Sequence, residues 1–211
     1  DMIKIAISRT QLDDFKNVKI YHWLQGINTH KFFYKKDNNK KTLQILIPLR
    51  NTWDKDAIYA IHAAEIIHNS NKNLRIVSYG NYSGEIPKFI QHLGIVDFLN
   101  LIKLYRESDI FILPSLSEGF SLPGLEAMAS GCAVISTKNG GSDQYIIDGF
   151  NGLLVEKKNS KALTDAVLKL ANDPLLLKTF ITNGQKIVME YTYEKAAQRF
   201  INILREIDNF K

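Results

Sequence analysis

The sequence predicts an α/β protein, a Rossmann-like parallel sheet with helices on both faces. Two observations carry this. Apolar runs too short for helices and bounded by turn residues recur along the chain, as buried parallel strands do. Between them lie longer stretches whose apolar residues repeat at helical spacing. Strands that alternate with helices cross over in one hand and build a single parallel sheet.

In order, Ile3–Ser8 and Lys19–Trp23 are short apolar segments, and residues 28–41 are polar and basic, with Asp37–Lys41 as a linker. Thr42–Leu49 is the first strand of the main domain. Asp54–Asn69 follows as a helix with Ala57, Ile61, Ala64 and Ile67 on one face. Leu74–Ser78 is the next strand, Phe89–Gly94 a strand and turn, and Phe98–Arg106 a short helix. The stretch from Pro114 to Gly141 then organises the chain. Ile110–Leu113 before it is a strand, Leu122–Ser130 a helix with Ser121 as N-cap and Pro123 in its first turn, and Cys132–Ser136 a further strand after Gly131. The loop thus sits at the carboxyl end of a strand, where open α/β sheets bind ligands. Asp148–Gly152 is a turn before the Leu153–Val155 strand. Helices over Ser160–Asn172 and from Asp173 to about Tyr191 precede a last one, with Tyr193, Ala197, Phe200, Leu204 and Ile207 on one face.

The 211 residues suffice for a core, and 45% hydrophobic with 23% charged residues excludes a disordered chain. No apolar run reaches the length of a membrane span. The single cysteine, Cys132, rules out an internal disulfide framework and reads as a small buried residue suited to a reducing, cytoplasmic setting. Nine of the 27 Lys/Arg but four of the 22 Asp/Glu lie in residues 1–41, which therefore hold the whole net charge of +5. A neutral main domain argues against nucleic acid as partner. The basic lead-in suits a surface that meets another domain or anionic lipid, at the inner face of a membrane.

Glu118 and Glu126 frame the loop, with seven residues between them. As isolated acids they read as a solvated loop residue and a helix N-terminal acid favoured by the dipole. Beside a phosphate held on the helix N-terminus, they would accept hydrogen bonds from sugar or ribose hydroxyls. Arg50 and Lys55, taken singly, are surface cations. Asp54-Lys55-Asp56 spells the metal-binding string D-x-D, but its place at a helix start reads as capping, and no further carboxylate or histidine spacing completes a metal site.

Glu118-Gly119-Phe120-Ser121-Leu122-Pro123-Gly124-Leu125-Glu126-Ala127-Met128-Ala129-Ser130-Gly131 resembles the E-x7-E signature of retaining GT-B glycosyltransferases of the family 4 type, the glycosyl transferases group 1. Leu104-Tyr105, Asp109, Pro114-Ser115, Gly140-Gly141 and Gly149 through Val155 match its flanks, and the resemblance runs from about Ile3 to Asn209. It implies transfer of a sugar from a nucleoside diphosphate sugar to a hydroxyl with retention of configuration, in surface polysaccharide or glycan synthesis. The implied catalytic residues are Glu118 on the donor sugar, with Arg50 and Lys55 on the diphosphate. Glu126 would hold the ribose. The backbone of Gly119, Phe120, Ser121 and Leu122 would meet sugar hydroxyls and phosphate, and Val96 the base. Leu49 replaces the family's glycine before Arg50, and Gln144 stands where the family has a glutamate. No cofactor and no metal are expected. The resemblance divides the chain into residues 1–41, a remnant of an N-terminal acceptor domain plus linker, and residues 42–211, the donor domain with a cross-over helix. The implied partners are the donor, a glycan or lipid-linked acceptor and the missing N-terminal domain. Two alternatives stand beside it, a donor-binding subunit inactive without a separate partner and a sugar-nucleotide epimerase of the same fold.

Overall fold

The structure, a computed structural model, describes residues 3–6, 19–35, 42–52 and 55–208. β1 (Ile3–Ala6) and β2 (Lys19–His22) pair in parallel as a small separate sheet, and α1 (Thr29–Phe32) follows. The main sheet starts with β3 (Gln44–Pro48), which α2 (Ala57–Ser70) connects to β4 (Arg75–Tyr79). β5 (Ile90–His92), α3 (Phe98–Glu107), β6 (Ile110–Leu113), α4 (Leu122–Ala129), β7 (Ala133–Thr137) and β8 (Gly152–Val155) come next. α5 (Ser160–Asn172), α6 (Pro174–Val188) and α7 (Tyr193–Asp208) end the chain. All six main strands are parallel, in the order β5-β4-β3-β6-β7-β8.

The continuous apolar runs have a direct cause: every residue of β3, β6 and β7 is buried. Ile45, Ile47, Ile110, Ile112, Ala133 and Ile135 face α2, α5 and part of α6. The alternate residues Leu46, Phe111, Leu113 and Val134 face α3 and α4 on the other side. Chain order reverses between β3 and β6, whose C-terminal loops diverge and open a crevice, the topological switch point of a doubly wound sheet.

Several expected boundaries shift. α2 begins at Ala57 rather than Asp54; Asp54 itself lies outside the described residues. Asp56 occupies the cap position with φ 48° and ψ 43°, away from the extended backbone a side-chain cap uses, and makes no cap bond, so the capping reading fails for it. Ser121 likewise precedes α4 in the left-handed region, at φ 63° and ψ 61°, without capping it. Cys132 is fully buried just before β7, where its thiol donates to the Tyr105 and Ser108 carbonyls. The α7 face is displaced from the expected one. Ala196 and Ile203 are buried while Tyr193 and Leu204 are exposed, because Trp23 docks there, tilted at 54° against the Phe200 ring and donating Nε1–H to the Ala196 carbonyl at 2.9 Å.

That docking is part of a double crossing. Ile27 pairs with Thr192 as an isolated bridge, with Ile27 N–H donating to Tyr191 O at 2.8 Å and Tyr193 N–H to Ile27 O at 3.2 Å. The two segments lie so close at Gly26 that a Cβ there would stand 2.4 Å from the Thr192 carbonyl oxygen. The expected strand end at Ile7 and Ser8 and the expected linker Asp37–Lys41 lie outside the described residues.

Candidate active site

The crevice collects residues that the sequence places far apart. Arg50 follows β3, Lys55 precedes α2, and Ser115, Glu118, Ser121 and Leu122 belong to the loop and helix start after β6. Together with Pro48, Leu113, Pro114 and Pro123 they line a cavity of about 210 Å³. A second cavity of about 490 Å³ shares Arg50 and Lys55 and runs past Tyr79, Gly80 and Asn81 to Ile95, Val96 and Leu101. Arg50, Lys55, Glu118, Ser121, Leu122 and Val96 therefore meet in two adjoining hollows.

Lys55 Nζ donates to Glu118 Oε1 at 2.8 Å, and Ser115 Oγ donates to the same oxygen at 2.7 Å. Both ends of this ion pair are mostly buried, with 21% and 14% of the side chains exposed. The cation expected on a diphosphate and the carboxylate expected on a sugar thus hold each other, a pairing that motif spacing did not show. Ser115, in the segment before the motif, thus orients Glu118.

Glu126 lies deeper. It sits beyond the first turn of α4, so the helix-dipole reading of this acid fails. Tyr105 O–H donates to its Oε2 at 3.3 Å, and the Tyr79 hydroxyl stands 3.3 Å from that of Tyr105. Burial pushes the Glu126 carboxyl above its ordinary range, against the Tyr105 hydrogen bond and the Arg50 charge, which pull it down. The Tyr79 hydroxyl, buried against the same groups, is pushed up to about 12.

A second layer fixes the loop. Glu118 N–H donates to the Asn139 carbonyl at 3.0 Å. Asn139 Oδ1 in turn accepts from the N–H groups of Gly141 and Ser142. Gln144 donates from Nε2 to the carbonyls of Gly119 and Gly140, at 2.9 and 3.1 Å, so the amide in the family's glutamate position works as a tether. Phe120 is 2% exposed and packs on Tyr145 and Tyr191. Its side chain belongs to the core, which leaves only its backbone for a ligand. Ser121 Oγ is buried without a hydrogen-bond partner among the described residues and lines the smaller cavity on a left-handed backbone. An unmet buried hydroxyl on a strained backbone is the kind of feature that functional sites retain.

Gly141 is needed for close approach: a Cβ there would stand 2.6 Å from Glu118 Cβ and 3.0 Å from the Glu118 carbonyl. Gly141→Ala is expected to cost about 1–3 kcal/mol of stability through overpacking and to displace Glu118. Denaturant melts that match the parent's would refute the contact.

No group of three or more metal-binding side chains occurs among the described residues, nor a helix long and apolar enough to cross a membrane.

Residues 28–187 match the family model described as glycosyl transferases group 1. An uncharacterized glycosyltransferase of Methanocaldococcus jannaschii is 30% identical over 153 residues, which cover 69% of this chain and 44% of that protein. The C-terminal domain of the group 1 glycosyl transferase LpcC of Francisella tularensis is 30% identical, with a TM-score of 0.68 over 79% of this chain and 99% of that one. Anabaena HepE, solved in complex with UDP-glucose, shares the fold at 16% identity, with a TM-score of 0.80 over 96% of this chain and 63% of its own. The chain spans about half the length of the curated relatives it matches.

Proposed function

Because the chain belongs to the group 1 glycosyltransferases, we propose that its crevice binds a nucleoside diphosphate sugar and presents the sugar to a hydroxyl acceptor. The observation that carries this reading is the meeting of two cations, Glu118 and a helix N-terminus in one cavity at the switch point. Leaving-group departure puts negative charge on a diphosphate. Arg50, Lys55 and the N-terminal end of α4 at Leu122 lie where that charge would grow. They would neutralise it without a metal ion. Diphosphate competes with Glu118 for Lys55, and the carboxylate so released accepts hydroxyls of the sugar ring. Glu126 accepts the ribose hydroxyls, while the base lies along the larger cavity beside Val96.

Glu118 is the one carboxylate among the described residues lining the two hollows, and in the donor complex it is engaged by the sugar hydroxyls. This supports a retaining course without a protein base. The C1–oxygen bond to the diphosphate breaks, the acceptor oxygen bonds C1 from the same face, and its proton passes to the departing diphosphate. The acceptor, a growing glycan or its lipid-linked form, would be held mainly by a further domain, in keeping with the basic charge of residues 1–41.

Calorimetric titration with UDP, GDP and ADP is the test. At least one should bind this chain, and binding should survive a chelator; silence towards all three, or a strict requirement for Mg²⁺ or Mn²⁺, refutes the reading.

Glu126→Gln gives a second check, because it separates function from stability. The amide keeps an acceptor for Tyr105 but loses the charge on the ribose bonds. Nucleoside diphosphate affinity should fall about fivefold, the difference between a charged and a neutral hydrogen bond. The melting temperature at neutral pH should hold or rise. A carboxyl raised in the folded state binds its proton more tightly there than in the unfolded chain. Its contribution to stability is therefore lost as pH climbs from its ordinary 4.5 through the raised value, and glutamine removes that loss. A lowered melting temperature with unchanged affinity would make Glu126 a structural acid.

A further inference from the structure

We propose that Tyr105, backed by Tyr79, positions Glu126 so that the site takes ribonucleoside diphosphates and rejects their 2′-deoxy forms. The inference rests on the donor reading above and adds to its Glu126–ribose contact a positioning residue and the selectivity that follows from it.

Tyr105 is fully buried, and its ring is clamped edge-on by Phe111 and Phe32, with centroids 5.5 and 6.2 Å away. The Cys132 thiol holds its carbonyl at 3.1 Å. The hydroxyl thus has a fixed position, with Glu126 Oε2 and the Tyr79 hydroxyl as its neighbours, each at 3.3 Å. Tyr79 is itself only 4% exposed. A carboxylate has about four lone-pair sites, and one here is taken by a phenol that cannot move. The remaining acceptors are pinned in direction. Two adjacent ribose hydroxyls donate two hydrogen bonds to such a group. A 2′-deoxyribose leaves one acceptor unmet on a half-buried carboxylate whose charge burial already disfavours. Sites built to hydrogen-bond a substrate hydroxyl discriminate strongly against analogues that lack it. Without the phenol, Glu126 could turn to favour the remaining hydroxyl, and the distinction would blur. Tyr105 is therefore a positioning residue, acting through Glu126.

The experiment takes the tightest binder among UDP, GDP and ADP and compares it calorimetrically with its own 2′-deoxy form, in the parent chain and in Tyr105→Phe. The parent should prefer the ribonucleotide by about tenfold or more. Tyr105→Phe should bring the two within about threefold of each other, chiefly by weakening the ribonucleotide. Equal weakening of both, with the preference intact, would mean that Tyr105 acts only through the fold and overturns the proposal. Tyr79→Phe, which removes the hydroxyl behind Tyr105 while leaving Tyr105 in place, should narrow the preference by a smaller factor. If Tyr105→Phe does not fold, an unchanged preference in Tyr79→Phe overturns the proposal instead. Glu126→Gln tells the two levels apart. If it leaves ribonucleotide affinity untouched, the donor reading of Glu126 fails and the inference with it. If it weakens affinity while Tyr105→Phe keeps the preference, only the inference fails.

Discussion

Sugar transfer, the proposed reaction, is expected to fall about a hundredfold when Glu118 becomes glutamine, since misplacing a reacting group by an ångström costs on that order. Nucleoside diphosphate affinity should not fall with it. In the structure Glu118 engages Lys55 through a 2.8 Å ion pair, and a neutral amide would compete less with the phosphates for that cation. Affinity for the bare diphosphate should hold or improve as turnover collapses. A lower kcat and kcat/KM with unimpaired diphosphate binding is the mark of an interaction realised at the transition state. Turnover at the parent rate would remove Glu118 from the chemistry.

Arg50→Ala and Lys55→Ala should each weaken nucleoside diphosphate binding by about ten- to a hundredfold, the size of a charge-assisted hydrogen bond, while barely affecting the nucleoside. Lys55→Ala carries a further consequence: the mostly buried Glu118 keeps Ser115 but loses its cation. Its variant should therefore lose more stability than Arg50→Ala, whose parent side chain is exposed. Calorimetry with the diphosphate and the nucleoside, beside thermal melts, resolves both effects. Equal losses for the two ligands would mean that the cations support the fold rather than the phosphates.

The layered architecture was legible because both faces of the sheet are covered. Ile110–Leu113 and Ser160–Asn172 fall where apolar runs and helical spacing put them. The candidate residues could be named from the sequence too, since Arg50, Lys55, Glu118 and Glu126 stand in recognisable spacings. How they hold one another was not. The Lys55–Glu118 pair spans 63 positions and the Gln144–Gly119 tether 25, and no periodicity encodes such contacts. Backbone exceptions at Asp56 and Ser121 escaped for another reason: propensity disfavours the left-handed region for both, and tertiary packing overrides it. The rotation of the α7 face came from Trp23, which lies 173 positions from its partner.

The paired crossing at Ile27 and Thr192 works as a seam: two chain passages 165 positions apart are stitched edge to edge by the Ile27 hydrogen bonds to Tyr191 and Tyr193. The stitch closes only because Gly26 brings no side chain to it, so any larger residue there would have to force the two passages apart.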